Sequence, residues 1–317
     1  MAFFTVIDVC LCTHNPRPKT LKKVLASIRN QTAATDTFRF LLVDNASSPH
    51  LRESLLSQFT QRGIAARMVR EPMMGIARAR LRAIMETRGE MLLFVDDDNE
   101  LTPQYIAEGM EFGSMHQDVG CFGGKLLLPA DLRPAAWVEP FLPYLAIKDI
   151  GEEPVFGKSA AWGSWEPPTA GAFIRRSVLA VYMQRADSDE NVFKLGRVGG
   201  GNLSSCEDAL IMSGAISLGL SNAYNPKLIL YHHLDANRFN FIYLIRLMHA
   251  YGTSAIVLES LINGPRSKPN FYSSGKQFLR WLRTSVSAAR ESIPFGIGML
   301  AYYHGVQSEL RRQYQKK

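Results

Sequence analysis

Across its first 130 residues the chain alternates short β-branched or Leu-rich runs with segments of helical period, a rhythm that few architectures accommodate. Strand-helix units of this kind build a mostly parallel sheet with helices on its faces. The pattern predicts strands over 6–13, 38–44, 65–70, 91–95 and 119–127. Between them, 18–30, 49–61, 75–88 and 103–115 carry apolar residues at spacings of three and four, as sheet-covering helices do. Thr102-Pro103 and Ser48-Pro49 each read as an N-cap followed by proline at the first helical position.

Beyond residue 129 the rhythm breaks into a Pro-, Gly- and Trp-rich stretch that includes WGSWEPPTAG. Helices are expected again at 177–185 and 207–218, with the glycine-rich run GRVGGGN between them and a strand over 227–232 ending in two histidines. Everything after Asp235 reads as helical, with breaks at Asn263-Gly264-Pro265 and near Pro294.

A composition 46% hydrophobic and 21% charged excludes disorder as the dominant state. The net charge of +7 has a location. Residues 236–317 hold 12 Lys and Arg against 3 Asp and Glu, which leaves 24 of the 36 basic and 26 of the 29 acidic residues before them. A basic C-terminal region beside a near-neutral body points to an anionic partner. The aromatic readout modules and zinc spacings of nucleic-acid binders are absent, so membrane lipid is the expected partner, with FLRWLRTSVSAAR as the clearest basic amphipathic stretch. The same helices would equally serve as packing against the body with their basic face in water.

Cysteines at 10, 12, 121 and 206 follow no zinc or disulfide spacing, and Cys10 and Cys12 should share one strand face. Reduced cysteines imply a cytoplasmic setting, peripheral on the membrane face if the basic region binds lipid. The opening MAFFTVIDVCLCTHN reads as a first strand, not a signal peptide. No uninterrupted apolar run approaches the roughly 18 residues of a spanning helix, since 239–262 contains Arg246, His249 and Glu259.

The chemistry is concentrated in GEMLLFVDDDNEL, where a buried-type strand runs into Asp96, Asp97 and Asp98. Ligands of doubly wound sheets bind outside the carboxyl ends of strands. Three adjacent carboxylates repel one another unless a cation sits among them, and hard oxygen donors suit Mg²⁺ or Mn²⁺. If strand geometry persists, Asp96 and Asp98 point to one side and Asp97 to the other. An acidic turn capping the next helix is the plainer alternative. Asp44 ends the strand over 38–44, and Thr13-His14-Asn15 ends the first, so three strand ends carry polar groups.

The chain resembles the family 2 glycosyltransferases of GT-A fold through four segments, in the family's order: VCLCTHNPRPKTLKKVLASIRNQT, FLLVDNASS, GIARARLRAIMETRGEMLLFVDDDN and SSCEDALIMSGAISLGLSNAYNPKLILYHH. The resemblance implies an inverting, metal-dependent transferase acting on a nucleoside-diphosphate sugar, with UDP favoured and GDP or dTDP as alternatives. A glycan or lipid-linked hydroxyl acceptor in surface polysaccharide or glycolipid synthesis would follow. It implies a catalytic domain over 1–235, with a nucleotide half to 128 and an acceptor half from 129, and a basic helical region over 236–317.

By the same resemblance Thr13 and Asn15 line the nucleotide pocket, Asp44 meets the base, and Arg80 lies near ribose or base. Asp96 contacts the nucleoside, Asp97 belongs to the same site without a defined role, and Asp98 binds the metal with Asp96. His232 and His233 stand where relatives present a histidine to metal or diphosphate. Asp208 is the expected base with Glu207 as its rival, although helix 207–218 lacks the further acid and arginine common in the family. Both acids would equally favour a helix start with Ser204 or Ser205 as cap. Trp162 and Trp165 are candidates to stack on a sugar acceptor, or simply to pack. Nucleotidyl or phosphoryl transfer would bring a glycine-rich phosphate loop that THNPRPK does not show. A non-catalytic nucleotide-sugar-binding protein would keep the fold without turnover.

Overall fold

The computed structural model describes residues 6–159, 162–199, 201–264 and 274–315. In chain order these form β1 (Ile7–Thr13), α1 (Pro18–Arg29), β2 (Phe38–Asn45), α2 (Ser57–Gln61), β3 (Ala66–Glu71), α3 (Ile76–Glu86), β4 (Met91–Asp96), β5 (Asn99–Leu101), α4 (Tyr105–Met115) and β6 (Val119–Leu127). A 3₁₀ segment (Ala136–Leu145), β7 (Val155–Gly157), β8 (Phe173–Arg175), α5 (Arg176–Ser188), α6 (Glu207–Ser217) and β9 (Ser221–His232) follow. The chain then runs through a 3₁₀ turn (Ala236–Phe239) into α7 (Phe241–Asn263), α8 (Ser274–Glu291) and α9 (Ile293–Gln315).

One sheet runs β3-β2-β1-β4-β8-β6-β9-β5, with β7 on β9. The long strands β1, β2, β3, β4, β6 and β9 point the same way, because short β8 pairs antiparallel with both β4 and β6. The expected mostly parallel α/β sheet with C-terminal helices is therefore present. Alternation along β1 divides two cores. Ile7, Val9 and Leu11 join the layer under α1 and α4, while Cys10 and Cys12 join the layer under α3, α5 and α6. All four cysteines are free.

The start signals placed by sequence were wrong. Helix α4 begins at Tyr105, and the Thr102 hydroxyl donates to the Ile229 carbonyl at 2.9 Å, so Thr102 closes β5 against β9 and caps nothing. Pro49 does not start a helix either, since 46–51 wraps around the Asp44 carboxylate, which accepts from the Ser47 and Leu51 N–H groups. Ser204 and Ser205 leave the start of α6 to Cys206, which no side chain caps.

A third core joins Val138, Phe141 and Leu145 to Leu234, Leu244, Leu247 and Met248, so α7 packs on the segment that follows β6. Among the described residues α7 alone is long and apolar enough to cross a membrane, with mean hydropathy 1.4. Its buried face is spent on this core and on α9. Of the basic C-terminal stretches, residues 265–273, 316 and 317 and the side chains of 274–280 lie outside the described residues.

Candidate active site

The carboxyl ends of β1, β4 and β9, the first turn of α6 and the start of the C-terminal region surround a cavity of about 460 Å³. Thr13, Arg80, Asp96, Asp97, Asp98, Glu207, Asp208 and His232 all line it. Pairing of Cys12 with Asp96 across β1 and β4, and of His232 with Asn99 across β9 and β5, sets these ends at one level.

Strand geometry does not persist through the aspartates. β4 stops at Asp96, whose N–H donates to the Asn99 side chain at 3.2 Å, and the turn this creates brings Asp97 to the same cavity as its neighbours. The predicted split into two sides is corrected accordingly. Burial and the neighbouring Asp98 push the Asp97 carboxyl up to about 7, while a hydrogen bond donated by the Thr13 hydroxyl opposes the shift. Burial acts against ionising Asp98 too, yet His232 at 3.4 Å and Arg238 at 3.6 Å hold its carboxyl far below the usual range. The His232 Nδ1 atom is buried with no hydrogen-bond partner.

Arg80 is almost sealed from solvent and spans the cavity floor, 2.6 Å from Glu207 and 3.5 Å from Asp96. The other Glu207 oxygen accepts from the Tyr182 hydroxyl at 2.7 Å. Both oxygens of buried Glu207 are therefore engaged within the fold. Asp208 differs. One of its oxygens accepts from the Ala209 N–H at 2.9 Å, and burial raises its pKa above the ordinary carboxylate value, with Glu207 adding to the rise and Arg80 opposing it. Cys206, just before this pair, holds a φ of +72°, a costly conformation for a residue with a side chain.

Several predicted residues do not reach the cavity. Asp44 is fully buried with both oxygens on backbone N–H groups, and Asn15 accepts from the Ser48 N–H at 2.8 Å. Their neighbours Asn45 and His14 line the wall instead, linked by a 2.7 Å hydrogen bond between the His14 ring and the Asn45 carbonyl. Asn45 also accepts from the N–H of Gly75, the residue before α3. His233 turns toward Glu100 at 2.6 Å. Trp165 packs over Gly157 and Gly163, where an added Cβ would lie 2.0 and 2.3 Å from its ring, and Trp162 stands 51% exposed. Neither tryptophan is part of the wall.

Sequence reasoning missed Arg197, Arg238, Tyr144 and Tyr251, which complete the cavity. The tyrosines meet edge to face with centroids 5.5 Å apart, and Tyr251 donates to the Tyr144 carbonyl at 3.2 Å. The cavity thus sets arginines beside an aspartate cluster, with the half-buried carboxylate of Asp208 on α6 in the same enclosure. Such a site can hold a polyanion and take a proton from a bound hydroxyl.

Residues 8–140 match the protein-family model described as Glycosyl transferase family 2. No curated protein matches the chain. Among solved structures, the mannosyltransferase PcManGT from Pyrobaculum calidifontis in complex with GDP-Man and Mn²⁺ is similar over 96% of this chain and 88% of its own, with a TM-score of 0.60 at 14% identity. Residues 1–349 of S. aureus TarS align over 96% of this chain and 91% of their own at 13% identity, with a TM-score of 0.47.

Proposed function

We propose that this chain, whose residues 8–140 match the family 2 glycosyltransferase model and whose fold is of the GT-A kind, is a glycosyltransferase that transfers a sugar from a nucleoside diphosphate to a hydroxyl acceptor with inversion. The observation that carries the reading is the sharing of one cavity by the Asp96–Asp98 cluster and the half-buried Asp208, whose pKa is raised. The GDP-Man bound by the similar mannosyltransferase supports a nucleotide sugar as donor.

The donor set fits a hard divalent cation in its chemistry. Asp97 and Asp98 are crowded carboxylates, and His232 keeps a buried nitrogen without a partner. Among the described residues no three such side chains are gathered at one point, since Asp98 lies against His232 and Arg238. Asp98, with Asp96 or Asp97 and His232, would hold Mg²⁺ or Mn²⁺. When bound, such an ion offsets the charge of the diphosphate.

The chain's own residues account for the rest. Arg238 and Arg197 attract and orient the diphosphate. Asp208 accepts the proton of the acceptor hydroxyl as the acceptor oxygen bonds to the anomeric carbon. The bond from that carbon to the phosphate oxygen breaks, and its electron pair leaves on the nucleoside diphosphate. Arg80 and Glu207 act as positioning residues, tying the first turn of α6 to α3 so that Asp208 keeps its place.

Asp208→Asn is the test. General-base loss is expected to reduce transfer by about 10²–10⁴-fold while nucleotide affinity is kept, and NMR of the wild-type product is expected to show the inverted anomer. Full transfer by the variant, or a retained anomer, would refute the reading.

A further inference from the structure

The C-terminal helices carry an apolar surface that the described residues do not cover. On α9, Ile293, Ile297 and Leu300 are 71%, 43% and 48% exposed at helical spacing, and on α8 Leu282 and Val286 form a matching pair one turn apart. Helices α8 and α9 make a tight hairpin. An added Cβ on Gly296 would sit 2.7 Å from Ala289, and Trp281 stacks on Tyr303 at 4.8 Å. Helix α7 runs beside α9 in the same direction, with Gly252 against Tyr302 and Ser260 reaching Gln313. Ile242, 68% exposed, therefore emerges at the same end as Ile293.

This end adjoins the rim of the cavity. Trp137 contacts Phe241 at 6.3 Å, Phe141 contacts Phe295 at 5.1 Å, and the 3₁₀ segment holding both ends at the cavity-lining Tyr144. Arg238, just before Phe241, lines the cavity as well. Exposed Arg283 and Arg290 stand seven residues apart on one side of α8 beside the apolar pair, and Arg311 is exposed further along α9. Apolar rows bordered by cations suit the interface of an anionic bilayer. A monomer seldom leaves such a patch in water.

We propose that the start of α7 and the α8–α9 hairpin dock on an anionic lipid surface, which brings the rim of the cavity to the membrane. The helices lie on that surface and do not span it, because α7 gives its other face to the core. Presentation of a lipid-linked acceptor to Asp208 is the consequence for catalysis, and that part rests on the glycosyl-transfer reading. The docking itself does not, and it is measured without nucleotide.

The test is flotation of the full chain with vesicles of phosphatidylcholine, with and without phosphatidylglycerol. The chain is expected to float with the anionic vesicles at least about tenfold better. Ile293→Glu with Ile297→Glu is expected to abolish flotation while nucleotide affinity is unchanged, and Met85→Glu, at an equally exposed site on α3, is expected to leave it intact. Absence of flotation, or flotation unaffected by the double substitution, would overturn the proposal. A dimer that does not float and that the double substitution converts to monomer would assign the face to a second copy of the chain instead.

Discussion

Arg80 and Glu207 lie 127 positions apart, yet guanidinium and carboxylate meet at 2.6 Å with both side chains nearly sealed from solvent. The pair joins α3, which follows β3, to the helix that carries Asp208. Burial works against a charged Arg80, but Glu207 and Asp96 more than compensate and keep it protonated. Breaking a pair of this kind leaves a buried charge without a partner.

Arg80→Ala or Glu207→Ala is accordingly expected to destabilise the fold by about 3–5 kcal/mol, read as a lowered midpoint in denaturant unfolding. Asp208→Asn should leave that midpoint almost unchanged, which separates an acid that holds the fold from the proposed base.

The raised pKa of Asp208 has a sign for catalysis. The ionised carboxylate is the active form of a base, so kcat/KM should fall as pH drops through a value above the ordinary aspartate pKa of about 3.9. Glu166 is also pushed up, to about 7, by burial. A pH-rate profile of Asp208→Asn distinguishes them, because only the Asp208 limb disappears in that variant.

Arg238 reaches the cavity from the turn before α7 and lies 3.6 Å from Asp98. Arg238→Ala is expected to raise the donor KM by about tenfold to a hundredfold, the range for losing one charged hydrogen bond. The acceptor KM should stay constant in steady-state kinetics.

Glycines set the distance between α7 and α9. A Cβ on Gly252 would lie 1.9 Å from the Tyr302 carbonyl, and one on Gly305 would lie 2.0 Å from the His249 carbonyl. Gly252→Ala is expected to cost about 1–3 kcal/mol by overpacking. It should also raise the acceptor KM, since Tyr251 on the same turn lines the cavity.

The parallel sheet was legible because long buried strands and amphipathic helices leave periodic traces. Strands β5, β7 and β8 were not, being three residues each and too short to show a period. The aspartate cluster and Thr13 were legible as strand-end groups, which point at ligands in such sheets, whereas Arg80 on α3 and His232 were named through the family resemblance; all of them line the one cavity. Asp44 and Asn15 stand one residue from the wall, because local backbone N–H groups capture those side chains and leave Asn45 and His14 to face the cavity. Tyr144, Arg238 and Tyr251 come from a 3₁₀ segment, a turn and a helix whose approach to the cavity depends on tertiary packing alone. No local spacing marks them.

The central claim, that the aspartate cavity is a nucleoside-diphosphate site, is met most directly by calorimetric titration of the whole chain with UDP, GDP and dTDP, with Mn²⁺ and after chelation. The account predicts that at least one of them binds with the cation, that chelation removes this binding, and that Asp98→Ala abolishes it. Failure of all three nucleotides to bind in the presence of Mn²⁺ would contradict it.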